Sequence, residues 1–193
     1  MALTTEAGLG NTAPTRTTGA FGVIVFLASD VMLFSPFFAA YFLFRSTNDP
    51  WPVAGVHLDV TRAAVFTAVL VASSFTMHTA DRAQERGDRR SMKVWLAATV
   101  LLGLAFLTNQ LLEYATLDFR ADDHAYGSVY WGLTGLHTLH VTAGICALGL
   151  LFVRAVRARR LDEVGSWRAG ISLYWHLVDV IWVAVFLSVF VIQ

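Results

Sequence analysis

Five stretches of almost unbroken apolar residues, separated by short polar loops, run along the chain at 21–44, 63–80, 94–112, 130–153 and 171–192. A helix needs about 20 apolar residues to cross the hydrocarbon of a bilayer. Each stretch is at or near that length, so the pattern predicts an all-α integral membrane bundle of five transmembrane helices. The second stretch is the shortest and closes on Thr76, His78 and Thr79. The first outruns the core of a signal peptide, about 7–15 residues, and it carries Asp30 and Pro36. The proline lacks a backbone donor and so frees a carbonyl within that span. Residues 1–20, rich in Thr, Gly and Ala, are expected to form a disordered tail, leaving 21–193 as one transmembrane domain.

The arginines take sides. The loop after the second span holds Arg82, Arg86, Arg89, Arg90 and Lys93, and the loop after the fourth holds Arg154, Arg157, Arg159, Arg160 and Arg168. With Arg16 in the tail, one face carries eleven of the fourteen basic residues. The other keeps Arg45, Arg62 and Arg120 beside Asp49, Asp59, Asp118, Asp122 and Asp123. The positive-inside rule then places the N-terminus in the cytoplasm and the C-terminus outside, as an odd number of spans requires. Trp51, Trp131, Trp167 and Tyr130 fall near span ends, where interfacial aromatics belong. Composition agrees: 56% of residues are hydrophobic and only 15% charged, too apolar for an ordinary soluble globule. The net charge is zero, so nothing points to nucleic acid. The single cysteine, Cys146, cannot form an intrachain disulfide and reads as core filler. Lys93 is the lone lysine, a usage typical of GC-rich bacterial genomes.

Ionisable groups inside spans are costly, which makes each one a functional candidate. They are Asp30, His137, His140, His176 and Asp179, with Gln110 and Glu113 near the far end of the third span. A metal site built from His137, His140 and His176, with Asp179 as a carboxylate ligand, fails on depth. A rise of about 1.5 Å per residue puts His176 roughly 8 Å from the basic face, His140 roughly 20 Å and His137 roughly 24 Å. A gap of about 12 Å is too wide for ligands that must reach one ion at about 2 Å. Depth joins other groups instead. Asp30 lies roughly 13 Å and Asp179 roughly 12 Å from the basic face, so the two carboxyls and His176 are expected to share one hydrogen-bonded patch. Gln110 matches His137 at roughly 24 Å. His137, His140, Gly144 and Ala147 line one helix face, the small-and-polar strip on which membrane helices pack closely. Helix packing and a proton or ion path both remain open on the residues alone.

Several motifs together resemble one family, subunit III of the haem–copper respiratory oxidases. They are FLASDVMLFSPFFAAYF (26–42), ASSFTMH (72–78), FLTNQLLEY (106–114), YGSVYWGLTGLHTLHVTAG (126–144) and YWHLVDVIW (174–182), in the family's order and covering roughly residues 20–192. Five spans match the shorter bacterial forms, without the first two helices of longer members. The resemblance implies a subunit without redox centres, the haems and copper being held by subunits I and II. It implies contact with subunit I, bound phospholipid, and support of the catalytic subunit and of cytoplasmic-side proton uptake. Asp30 falls on the family carboxylate, His137, His140 and His176 on the signature histidines, Asp179 on the signature aspartate and Glu113 on the acid of the third span.

Asp30, His176 and Asp179 are therefore the proton-linked candidates; Gln110, Glu113, His137 and His140 form the packing signature. Arg82, Arg86, Arg154 and Arg157 are the candidates for lipid headgroups. The expected complex sits in a bacterial plasma membrane, reduces oxygen in aerobic respiration and pumps protons. It is supplied by cytochrome c or a cytochrome bc complex. One position departs from the pattern: most members that oxidise cytochrome c carry glutamate where Asp30 stands, and aspartate there is similar to quinol-oxidising relatives. The overall length and outer-half motifs look like the short subunits of actinobacterial oxidases, which favours cytochrome c. The alternatives are a quinol oxidase subunit, an accessory protein of nitric oxide reductase, a stand-alone proton or ion carrier using Asp30 and Asp179, and a haem-binding protein using His137 or His140.

Overall fold

The computed structural model describes residues 15–53, 56–158 and 162–192. It contains five long helices: α1 (Thr15–Thr47), α2 (Val60–Glu85), α3 (Arg89–Thr116), α4 (Ala125–Arg157) and α5 (Asp162–Phe186), the last continuing into a π-helical turn at Leu187–Val191. No strand occurs among the described residues, and all five helices are long and apolar enough to cross a membrane. Each runs past its apolar stretch into polar sequence, because helix hydrogen bonding continues where the hydrocarbon stops. The tail expected over 1–20 lies outside the described residues as far as position 14, and α1 begins at Thr15.

The helix ends follow local chemistry. The Asp59 carboxylate accepts the Arg62 N–H at the start of α2, and Asp88 accepts those of Arg90 and Ser91 at the start of α3. His124 caps α4 through Nδ1, which accepts from Gly127 N–H at 2.8 Å. Gly87 ends α2 with φ +76°, while its N–H bonds to Gln84 and that of Asp88 to Ala83. That pair of bonds, closing a helix on a left-handed residue, explains why glycine stands there. The short reversal lays α2 against α3, the most extensive helix pair of the bundle.

Around Trp175 the packing is tightest. Its indole lies where Gly103 of α3 and Gly144 of α4 leave room, at 2.8 Å and 2.9 Å from the Cβ positions those glycines lack. Its Nε1–H donates to Ser73 on α2 at 2.9 Å, so one side chain of α5 ties three other helices. Trp182, just under two turns on, donates to Thr67 of α2 at 3.0 Å. On α1, the carbonyl of Met32 loses its usual donor to Pro36. The Ser35 hydroxyl donates to it instead at 3.0 Å, the local repair a membrane interior requires.

Two readings from the sequence are corrected here. Cys146 faces outward and fills no core, because the phase of α4 turns Gly144 and Ile145 inward beside it. Tyr130 is no interfacial anchor: it is fully buried and donates to Glu113.

Candidate functional site

Helical phase divides the polar residues of the spans into separate groups. Tyr174 and Asp179 stand five positions apart on α5, about 140° around the axis, so they face different neighbours. On one flank, Asp30 of α1 meets His140 of α4, with Oδ1 3.7 Å from Nε2. Phe34 packs on the His140 ring, and the Tyr174 hydroxyl donates to the His140 carbonyl at 3.1 Å. Nδ1 of His140 sits 2.8 Å from the Leu136 carbonyl. A carbonyl only accepts, so the ring hydrogen is on Nδ1 and Nε2 faces the Asp30 carboxyl. Nε2 thus turns its lone pair toward the carboxyl, at a separation longer than a direct hydrogen bond.

On the other flank, α2 meets α5. The Ser74 hydroxyl donates to Oδ2 of Asp179 and lies 3.0 Å from Nδ1 of His176. Serine has a single hydrogen. With that hydrogen given to Asp179, the contact to His176 needs the hydrogen on Nδ1 of the ring. Nε2 of His176 is then an acceptor, and it has no partner among the described residues. Nearer the basic loops, Arg168 pairs with Asp81, whose other oxygen accepts from Ser172 at 2.6 Å.

The patch expected from matched depth is thus two sites. Asp30 belongs with His140, while His176 and Asp179 belong with Ser74. Depth is necessary for contact, but rotation about the helix axis selects the partner. By sequence Arg168 belongs to a basic loop and Asp81 carries no signal except its place at i+7 from Ser74 on one face of α2.

His137 goes elsewhere again. It is fully buried between the rings of Trp182 (4.7 Å) and Phe106 (6.0 Å), and neither ring nitrogen has a hydrogen-bond partner among the described residues. The imidazole serves there as a flat aromatic filler. Gln110 is buried nearby on α3, one turn from Phe106, with no hydrogen bond joining it to His137. Glu113, also buried, accepts from Tyr130 at 3.2 Å, and Arg62 Nε donates to Asn109 at 2.6 Å in the same region. The three histidines therefore lie in three different neighbourhoods. Among the described residues, no three His, Cys, Asp or Glu side chains gather as a metal site.

The lipid candidates share one end of the bundle. Arg82 and Arg86 close α2, and Arg154 and Arg157 close α4. The Arg154 guanidinium covers the Trp167 ring at 4.4 Å. Arg159 and Arg160 lie outside the described residues.

A bundle of five membrane-length helices, with Asp30 set against His140 and Asp179 against Ser74 between them, is the architecture of a multi-pass membrane protein. Comparison with known proteins narrows this. Residues 3–193 match the family model described as Cytochrome c oxidase subunit III, and the chain belongs to that family. A probable cytochrome c oxidase subunit 3 of Mycobacterium tuberculosis (strain ATCC 25618 / H37Rv) is 38% identical over 176 residues, spanning 89% of this chain and 87% of the relative. The cytochrome c oxidase subunit 3 of Corynebacterium diphtheriae is 35% identical over 178 residues, with the same coverage. That of Thermostichus vulcanus is 34% identical over 176 residues, spanning 89% of this chain and 86% of its own.

Proposed function

We propose that this chain is the non-redox subunit III of a terminal cytochrome c oxidase in a bacterial plasma membrane. It would be oriented with its basic loops in the cytoplasm. It supports the catalytic subunit, with which it associates alongside subunit II, binds lipid, and aids proton uptake from the cytoplasmic side. The observation that carries this reading is the family match over nearly the whole chain.

The geometry adds a physical basis. The Asp30 carboxyl faces the His140 imidazole inside the spans, and ionisable groups placed there are functional candidates. His176, in the Ser74–His176–Asp179 group, lies toward the end bearing the basic loops. The arginines at that end suit anionic lipid headgroups, each interaction worth about 1 kcal/mol at a membrane surface. The haems and copper belong to the partner subunits in this reading, and electrons reach them from cytochrome c or a cytochrome bc complex.

The test is Asp30→Asn in the assembled complex. Haem content and assembly should be unchanged, while the active lifetime during turnover shortens or proton uptake slows. Unchanged endurance across pH would leave Asp30 a packing role only. The aspartate at position 30 favours a second reading, the equivalent subunit of a quinol oxidase. Assay of the purified complex with reduced cytochrome c and with quinol decides between the two donors.

A further inference from the structure

The loop between α3 and α4, residues 117–124, folds back onto the first two turns of α4. Phe119 is buried there, its ring 6.1 Å from that of Tyr126 and 5.3 Å from that of Tyr130. Its carbonyl accepts from the Trp131 indole at 3.3 Å, and the Ala121 carbonyl accepts from the Ser128 hydroxyl at 2.6 Å. The Arg120 carbonyl lies so close to Gly127 that it would collide with any Cβ, which is why glycine stands at that position. His124 closes the fold. Its Nδ1 accepts the Gly127 N–H at 2.8 Å, and its ring lies 5.4 Å from that of Phe119.

Helix caps are ordinarily side-chain oxygens, and Asp59 and Asp88 at the starts of α2 and α3 stay acceptors throughout the range in which histidines titrate. An imidazole accepts only through an unprotonated nitrogen. The single ring hydrogen of neutral His124 is therefore on Nε2, and a second proton can go only to Nδ1, the atom that holds Gly127. Protonation sets a donor against a donor. It also places a cation at the positive end of the α4 dipole. Among the described residues no carboxylate forms an ion pair with His124. The charges of the loop itself, Asp118, Arg120, Asp122 and Asp123, are exposed, and Asp123 already accepts the Arg120 N–H at 2.7 Å. From the packed helices, Tyr126 lies 6.2 Å from the ring, and Tyr130 with its partner Glu113 of α3 stands behind Phe119. On the α1 side, Trp51 is interposed between Tyr126 and Tyr41.

We propose that the α3–α4 loop is a latch released by acid, with His124 as its catch. The closed form accepts only the neutral ring. It is therefore complete above the range in which histidines titrate and is given up as the pH falls through that range. Opening frees the Gly127 N–H and unseats Phe119 from Tyr130, the donor to Glu113, which loosens the joint between α3 and α4. The latch rests on this geometry alone. That it responds to the outer solution, where pumped protons emerge, rests on the orientation and oxidase reading proposed above.

The experiment follows hydrogen exchange of the loop and the first turns of α4 by mass spectrometry, in the intact complex, from about pH 8 to about pH 5. Each rate is divided by the intrinsic rate at the same pH. Protection of the Gly127 amide should fall at least about fivefold in acid, the loss that removal of a helix cap brings. His124→Asn caps without titrating and should keep its protection throughout. His124→Ala should be poorly protected at every pH. Wild-type protection that does not change with pH overturns the latch, and so does an acid loss that persists undiminished in His124→Asn. Sealed membrane vesicles then assign the side. Acidifying the outer solution alone should open the loop. Opening by acid on the cytoplasmic side alone refutes the proposed orientation and leaves the latch standing, whereas a loop indifferent to acid on both sides refutes the latch and leaves the oxidase reading untouched.

Discussion

The hydroxyl of Tyr41 donates to the carbonyl of Ser188 at 2.6 Å, tying α1 to the π-helical turn at the end of α5 across 147 positions of sequence. Tyr126 of α4 donates to the neighbouring carbonyl of Val189 at 3.3 Å. A π turn shifts the helix pairing by one residue, and two buried tyrosines from other helices answer its carbonyls. Trp51, packed edge-on between Tyr41 and Tyr126, holds the pair in place. Tyr41→Phe leaves a buried carbonyl short of its donor and should cost about 1–3 kcal/mol. Ser188→Ala should be far milder, because the acceptor is backbone. Thermal unfolding midpoints of the two variants in detergent check the contrast.

Gly144→Ala drives a methyl group into the Trp175 indole, which lies 2.9 Å from the Cβ position. Overpacking of this kind should destabilise by about 1–3 kcal/mol. Adding Trp175→Phe should recover part of the loss by making space. If Trp175→Phe only worsens Gly144→Ala, the indole is not the obstacle. Thermal denaturation of the single and double variants reads the difference.

Asp30 and His140 should behave as a unit, and Asp30 and Asp179 as strangers. In double-substitution cycles, Asp30→Asn with His140→Gln should depart from additivity by about 0.5–3 kcal/mol. Asp30→Asn with Asp179→Asn should add within about 0.5 kcal/mol. The reverse pattern would restore a single shared patch. Unfolding equilibria of the purified chain supply the numbers.

Arg168→Gln and Asp81→Asn each break the ion pair between α2 and α5 and should each cost about 2 kcal/mol, the range for hydrogen bonds to charged groups. The double variant should cost little more than either alone, since one interaction is lost in all three. Chemical denaturation in mild detergent measures this.

At the start of α3, the N–H of Ser91 holds the Asp88 carboxyl below its ordinary value. The folded state therefore favours the ionised form. That contribution is complete above the ordinary carboxylate range and is lost as the pH falls through the lowered folded value. Hydrogen exchange at Ser91 should accordingly lose protection in acid, beyond the intrinsic change of exchange with pH. Asp88→Asn keeps a capping oxygen and should show no such extra loss. Equal acid sensitivity in both would exclude the charge as its cause.

The sequence by itself determined the number of spans, the class of protein and the family. Apolar length is a local property, and a bilayer-crossing helix satisfies its own backbone hydrogen bonds, so each run could be read without its neighbours. The motifs likewise stand in linear order: YWHLVDVIW needs no partner to be legible. Contacts between helices obey a different rule. Rise per residue gave Asp30 and Asp179 one depth, yet Asp30 lies against His140 and Asp179 against Ser74. Rotation about the axis and the identity of the adjoining helix decide which groups meet, and neither is written in the spacing within one helix. For the same reason Cys146 turned outward and Tyr130 inward against their sequence readings. Asp81 and Arg168, ordinary loop charges by position, became a clamp only once α2 and α5 were laid side by side.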